Sequence, residues 1–76
     1  MTAEKIKARI AEHCTLFGFE YKGKIGDVDP YSDDSYDLTY DGETINVHSI
    51  DEVMNTPYFD GKCLNEIYNE IEITEW

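Results

Sequence analysis

Seventy-six residues with a formal charge of −11 suffice for one small domain, 1–76, whose fold hides only about 60% of the surface that unfolding exposes. Hydrophobic residues at 41% and charged residues at 30% lie near globular averages, which argues for a folded chain and against wholesale disorder. No apolar run reaches the roughly 18 residues that a bilayer span needs, and Met1-Thr2-Ala3-Glu4-Lys5 carries no secretory apolar stretch, so the expected protein is cytoplasmic with no membrane partner.

Thr2 is placed to cap a first helix whose apolar positions Ile6, Ile10 and Cys14 recur every four residues, with Ala3, Ala8, Ala11 and Phe17 widening the stripe. Gly18 is the predicted stop, since glycine past a last helical turn reaches the left-handed conformation cheaply. Phe19, Tyr21 and Ile25 then alternate with Glu20, Lys22 and Lys24, which predicts one half-buried strand weakened by Gly23. Gly26 to Ser35 reads as loop, because Pro30 and the acids Asp27, Asp29, Asp33 and Asp34 oppose both helix and central strand.

Asp41-Gly42 is a preferred two-residue hairpin turn, and it pairs Tyr40 with Glu43, Leu38 with Ile45 and Tyr36 with Val47. That register leaves Asp37, Thr39, Thr44, Asn46 and His48 on the opposite, wet face. Ser49 and Glu52 have capping-box spacing ahead of a short helix bearing Ile50, Val53 and Met54, which Pro57 ends. A last helix is predicted from near Asp60, with Cys63, Leu64, Ile67, Tyr68 and Ile71 as its apolar stripe. Residues 72–76 fit either a strand on a sheet edge or a fraying helix.

The predicted fold is therefore α+β: a helix, a three-stranded antiparallel meander, then one short and one longer C-terminal helix packed on one face of the sheet. In topology alone that order resembles the double-stranded-RNA-binding domain. The family contacts phosphates with lysines at the start of its last helix, where this chain has Asp60, Gly61 and a lone Lys62, so direct nucleic-acid binding is not expected.

Charge is the strongest feature. Residues 1–24 hold five bases and three acids, whereas from Ile25 onward one base, Lys62, faces fourteen acids, a segment balance of 1 − 14 = −13. Such a field repels nucleic acid and anionic lipid and draws in basic partners.

Chemistry-bearing motifs are sparse. Asp27-Val28-Asp29-Pro30-Tyr31-Ser32-Asp33-Asp34 spaces oxygens as a calcium loop does, but Ser32 stands where that motif needs glycine and Leu38 where it needs glutamate. Cys14 and Cys63, with scattered histidines, form neither a disulfide framework nor a zinc tetrad and read as buried thiols. His13 and Cys14 point about 100° apart on a helix and cannot act as base and nucleophile, and His48 reads as a surface residue. No phosphate loop or nucleophile elbow is present, so neither enzyme activity nor a metal or cofactor is expected.

Six tyrosines exceed what so small a core obviously needs. Tyr21, Tyr36, Tyr40 and Tyr68 lie on apolar stripes and read as core with wet hydroxyls. Tyr31 and Tyr58, flanked by turn residues, are candidate contact residues, and with Asp27, Asp29, Asp33, Asp34, Asp37 and Asp41 they make up the expected partner-binding surface. The expected role is a protein-binding module for a basic surface. The alternative is a nucleic-acid mimic that inhibits a DNA- or RNA-processing protein, of the kind carried by phages or mobile elements, and it requires the acids on one elongated face.

Overall fold

Two-residue turns set the strand layout in the computed structural model, which describes residues 2–12 and 15–76. Lys22-Gly23, Asp41-Gly42 and Asp60-Gly61 all take positive φ at both positions, with Lys22, Asp41 and Asp60 between 52° and 58°. Positive φ at both central residues is the mark of the type I′ turn, whose twist matches that of paired strands. The first joins β1 (Phe17–Tyr21) to β2 (Lys24–Ser32), and the second joins β3 (Ser35–Tyr40) to β4 (Glu43–Val47). The third closes an isolated bridge between Phe59 and Lys62.

The first turn overturns two sequence expectations. Phe19 to Ile25 is not one strand, because the chain reverses at Lys22-Gly23 and puts Ile25 opposite Glu20. Nor is Gly26 to Ser35 a loop: β2 runs on to Ser32 and pairs with both β1 and β3. Pro30 is tolerated because its missing N–H falls on the β1 side of β2, where the β1–β2 pairing has already ended at Phe17 and Val28. Asp27 and Asp29 alternate with Gly26, Val28 and Pro30, so each acid points away from the core.

Among the described residues the sheet is five-stranded and antiparallel in the order β4-β3-β2-β1-β5, with β5 at Glu72–Glu75. The tail is thus a strand, paired with β1 through a register shift at Gly18 and Phe19. The α+β class holds, while the expected three-stranded meander is extended by β2 and β5 and the likeness to the double-stranded-RNA-binding order ends there. The hairpin register expected around Asp41-Gly42 is the one observed.

Three helices among the described residues cover one face. Thr2 caps α1 (Ala3–Ala11) by accepting the Lys5 amide at 3.2 Å, and the helix ends at Glu12. Gly18 lies inside β1 and does not stop it; His13 and Cys14 fall outside the described residues. Ser49 Oγ accepts the Glu52 amide at 3.0 Å, and the Glu52 carboxylate accepts the His48 amide at 2.7 Å, which fixes the start of α2 (Ile50–Asn55). The expected longer C-terminal helix is a single turn, α3 (Leu64–Ile67), because the Asp60-Gly61 turn and the Phe59–Lys62 bridge take up the residues before it.

Ile6, Ile10, Val53, Met54, Leu64 and Ile67 from the helices meet Phe17, Phe19, Val28, Tyr36 and Leu38 from the sheet in the core. Phe59, carried by the bridged turn, stacks edge-on against Phe19 at 5.1 Å and Tyr40 at 5.7 Å between ring centroids. Arg9, only 7% exposed, ties the last strand to the first helix. Its Nε donates to the Trp76 main-chain oxygen at 2.7 Å, its other nitrogens donate to Thr15 and Leu16, and the Trp76 ring centroid lies 5.6 Å from the guanidinium.

Candidate functional site

Strand alternation assigns every residue of the sheet to one of two faces, and the helices cover only one. The uncovered face takes Gly18 and Glu20 from β1, Ile25, Asp27, Asp29 and Tyr31 from β2, and Ser35, Asp37 and Thr39 from β3. It adds Thr44 and Asn46 from β4, and Glu72 with Glu75 from β5. No lysine or arginine stands at any of these positions.

The acids form a diagonal band across the sheet. Glu20 is the direct partner of Glu72, and Asp29 is the direct partner of Asp37. Asp27, two residues from Asp29 on the same strand and opposite Thr39, links the two pairs. Glu75 leans over Gly18, where its Cβ would lie 3.1 Å from any side chain added to the glycine. Directly opposed like charges destabilise a sheet, so this band exists despite its local energetics.

Hydrogen bonds hold the Asp29–Asp37 end in place. Asp37 accepts from the Tyr31 hydroxyl at 3.2 Å and from Asn46 Nδ2 at 2.9 Å. Asn46 also reaches Ser35 Oγ at 3.1 Å, and Thr39 and Thr44 share a hydroxyl bond of 2.8 Å beside Asp27. Partial burial above all, with the charges of Asp29 and Asp37 added, raises the Asp27 carboxyl above its ordinary range, against the opposing effect of its bond to Thr39. Hydrogen bonding to Asp37 and Asp29, together with their charges, raises the Tyr31 hydroxyl as well. The charges of Asp29 and Asp37 contribute to both shifts, as a lesser cause beside burial at Asp27.

Nearby cations are engaged elsewhere. Lys22 pairs with Asp60 at 3.2 Å, Lys24 with Asp41 at 3.7 Å and Lys7 with Asp51 at 2.9 Å. Glu20, Asp27, Asp29, Asp37 and Glu72 make no ion pair among the described residues. Two large apolar side chains stand out on the same face, Ile25 at 65% exposure and Tyr31 at 60%.

The sequence-derived contact residues therefore divide. Asp27, Asp29, Asp37 and Tyr31 come together on the open face. Asp33 and Asp34 occupy the β2–β3 turn at one end of β3, where the Asp34 amide donates to Ser32 Oγ and its carbonyl faces His48 Nδ1 at 3.3 Å. Asp41 sits in the turn at the other end of β3. Tyr58 is on the helix side, half-buried against the core, with its ring edge-on to Phe59; burial, and then the charge of Glu43, raises its hydroxyl. Glu20, Glu72, Glu75 and Ile25 belong to the open face without having been singled out in the sequence. Glu20 was already outward in the alternation with Phe19 and Tyr21, and the signal for Ile25 was present in the Lys22-Gly23 dipeptide, which as a hairpin turn reverses the strand parity after Tyr21.

Among the described residues no cavity opens in the fold, and no group of three His, Cys, Asp or Glu side chains is placed to hold a metal ion. No helix is long and apolar enough to cross a membrane among those residues. Compared with family models, with curated proteins and with solved structures, the chain matches none.

Proposed function

We propose that this protein is a small non-enzymatic binding module that docks the basic surface of another protein on its open sheet face. One observation carries the reading: the face holds the band Glu72, Glu20, Asp27, Asp29 and Asp37 with no basic residue at any of its positions. A field of one sign over a flat surface steers an oppositely charged partner and raises its association rate. Tyr31 and Ile25 supply apolar contact area within the charged band, the combination that lets an interface core exclude water while the rim stays polar.

A second reading is favoured by the band's form. Alternate carboxylates on a strand recur about every 6.6 Å, and a regular row of anions displaces counterions from a cationic channel as phosphates do. On this reading the basic partner is a DNA- or RNA-processing protein whose nucleic-acid channel the band occupies. Asp33, Asp34 and Asp41 lie at the two ends of β3 and outside the band, so the band itself, and not the whole acidic set, would be the mimic.

The test is capture from an extract of the protein's own cells, using wild type and an Asp27→Asn, Asp29→Asn, Asp37→Asn variant of verified fold. The module reading expects a partner that the wild type retains, that moderate salt weakens and that the variant loses. Loss of that partner to excess oligonucleotide supports the mimic; retention leaves the plain module. Equal retention by wild type and variant would refute both.

A further inference from the structure

From the sheet's free edge at β4 we infer a second contact mode: an extended, basic segment of the partner adds to the sheet there as a sixth strand. This deepens the module reading and rests on it for the sign of the partner's charge.

The backbone supplies the template. A two-residue turn makes its flanking residues a hydrogen-bonded pair, here Tyr40 with Glu43, and such pairs alternate with non-bonded ones along an antiparallel ladder. Leu38 with Ile45 and Tyr36 with Val47 are then bonded, while Thr44 and Asn46 turn their N–H and C=O groups outward. Among the described residues no strand pairs with β4 on that side and no turn or loop main-chain bond reaches Thr44 or Asn46, and both residues are exposed. Natural edge strands are protected by lysine, proline or a bulge. β4 has no lysine, proline or bulge and carries one glutamate, Glu43, at its turn end, whereas the β5 edge is four residues long, bulged and bears two glutamates.

Side chains define the occupant. Residues of an added strand that stand opposite Thr44 and Asn46 project over the open face, roughly two strand spacings, about 9.5 Å, from Asp37. A lysine or arginine arm reaches across that distance. Residues on the alternate positions project to the helix side, beside the half-buried Ile45 and the core residue Val47. The segment that fits therefore alternates basic with apolar residues, as a partner strand in β-augmentation does when its side-chain pockets differ by face. A second copy of this chain fits poorly, since each carries −11.

The experiment measures amide hydrogen exchange by NMR on the intact protein, with a peptide alternating lysine and valine as probe. A peptide of the same composition, with its lysines and valines in separate blocks, is the control. The alternating peptide is expected to slow exchange at the Thr44 and Asn46 amides by about tenfold or more, and the block peptide to leave them unprotected. Thr44→Pro, which removes an outward N–H and no ladder bond, should keep the fold by circular dichroism and abolish the protection. If both peptides shift the Asp27, Asp29 and Asp37 amides while Thr44 and Asn46 stay unprotected, strand addition is overturned and the module reading stands. If neither peptide perturbs any amide, both fail. Protection of Thr44 and Asn46 without peptide, accompanied by dimerisation, would overturn the basic occupant in favour of a second copy.

Discussion

Gly26→Ala is the most direct test of how the two sides of the sheet are built. Gly26 is the cross-strand partner of Phe19, and a Cβ at that position would lie 2.6 Å from Cζ and 2.7 Å from Cε2 of the Phe19 ring. The ring cannot simply swing away, because Phe17 at 5.8 Å and Phe59 at 5.1 Å hold it and it is fully buried. The φ of Gly26 is not in the positive region, so the substitution carries no backbone strain and its cost is steric. Overpacking of this kind costs about 1–3 kcal/mol, and the reduced freedom of the unfolded chain returns about 0.4–1 kcal/mol. A net loss of about 1–2 kcal/mol lowers the melting temperature of a domain this size by about 5–15 °C. Thermal and urea unfolding followed by circular dichroism measure it. Phe19→Leu in the same background should recover part of the loss, giving a coupling energy in the double-mutant cycle. A Gly26→Ala protein that melts at or above the wild-type temperature would refute this account of the core.

Unrelieved repulsion along the acidic band predicts that added salt raises the melting temperature, and a flat response would mean that the carboxylates are compensated locally. Because the folded-state pKa of Asp27 is raised, the native state binds more protons than the unfolded one between the ordinary and the raised value, so its contribution to stability falls as pH rises through that window and grows on acidification. Melting temperature should therefore increase as the pH is lowered through the raised Asp27 range towards the ordinary carboxylate value, and Asp27→Asn should flatten that slope. Arg9→Lys should cost about 1–3 kcal/mol, since one ammonium cannot serve Trp76, Thr15 and Leu16 together; urea unfolding measures the loss, and hydrogen exchange should accelerate first in β5. At Asp41, with φ of 52°, replacement by Asn should be within about 0.5 kcal/mol of wild type, because the exposed Lys24 pair is worth little, whereas Ile should cost about 1–2 kcal/mol.

Local signals with a single physical meaning could be read from the chain before its fold was known. The Thr2 cap, the Ser49 and Glu52 spacing and the Asp41-Gly42 hairpin are all found where their residues put them, because each depends on contacts within a few residues. The Lys22-Gly23 turn was hidden by an apolar alternation that happens to run through it, and only the pairing of Glu20 with Ile25 reveals the change of parity. β2 was hidden because proline and aspartate disfavour strands on average, while here Pro30 has its bare nitrogen beyond the end of β1 and the aspartates face solvent. The last helix was overestimated for a related reason: the apolar spacing after Asp60 is helical, but the turn at Asp60-Gly61 and the strand at Glu72–Glu75 divide it. Part of the candidate site was legible, since Asp27, Asp29, Tyr31 and Asp37 were identified by composition. Their assembly with Glu20 and Glu72 was not, because it depends on which strands are neighbours.

An antiparallel sheet with one wet face needs only polar residues there, and a mixture of lysine, threonine and glutamate would serve solubility equally well. This chain instead sets Asp29 against Asp37 and Glu20 against Glu72. Each such opposition costs about 0.2–1 kcal/mol, in a protein whose total stability is of order 4–11 kcal/mol at typical values per residue. Lysines are available in the neighbourhood, and Lys22 and Lys24 reach Asp60 and Asp41 at the turns, where exposed pairs contribute little. Placing cations where they stabilise least, and leaving opposed carboxylates without them, is a poor arrangement for a chain selected on folding alone. On the proposed reading the missing cations arrive on another molecule: association with a basic partner would relieve the repulsion that folding left in place, and the same Coulomb term that weakens the free protein would add to the affinity of that complex.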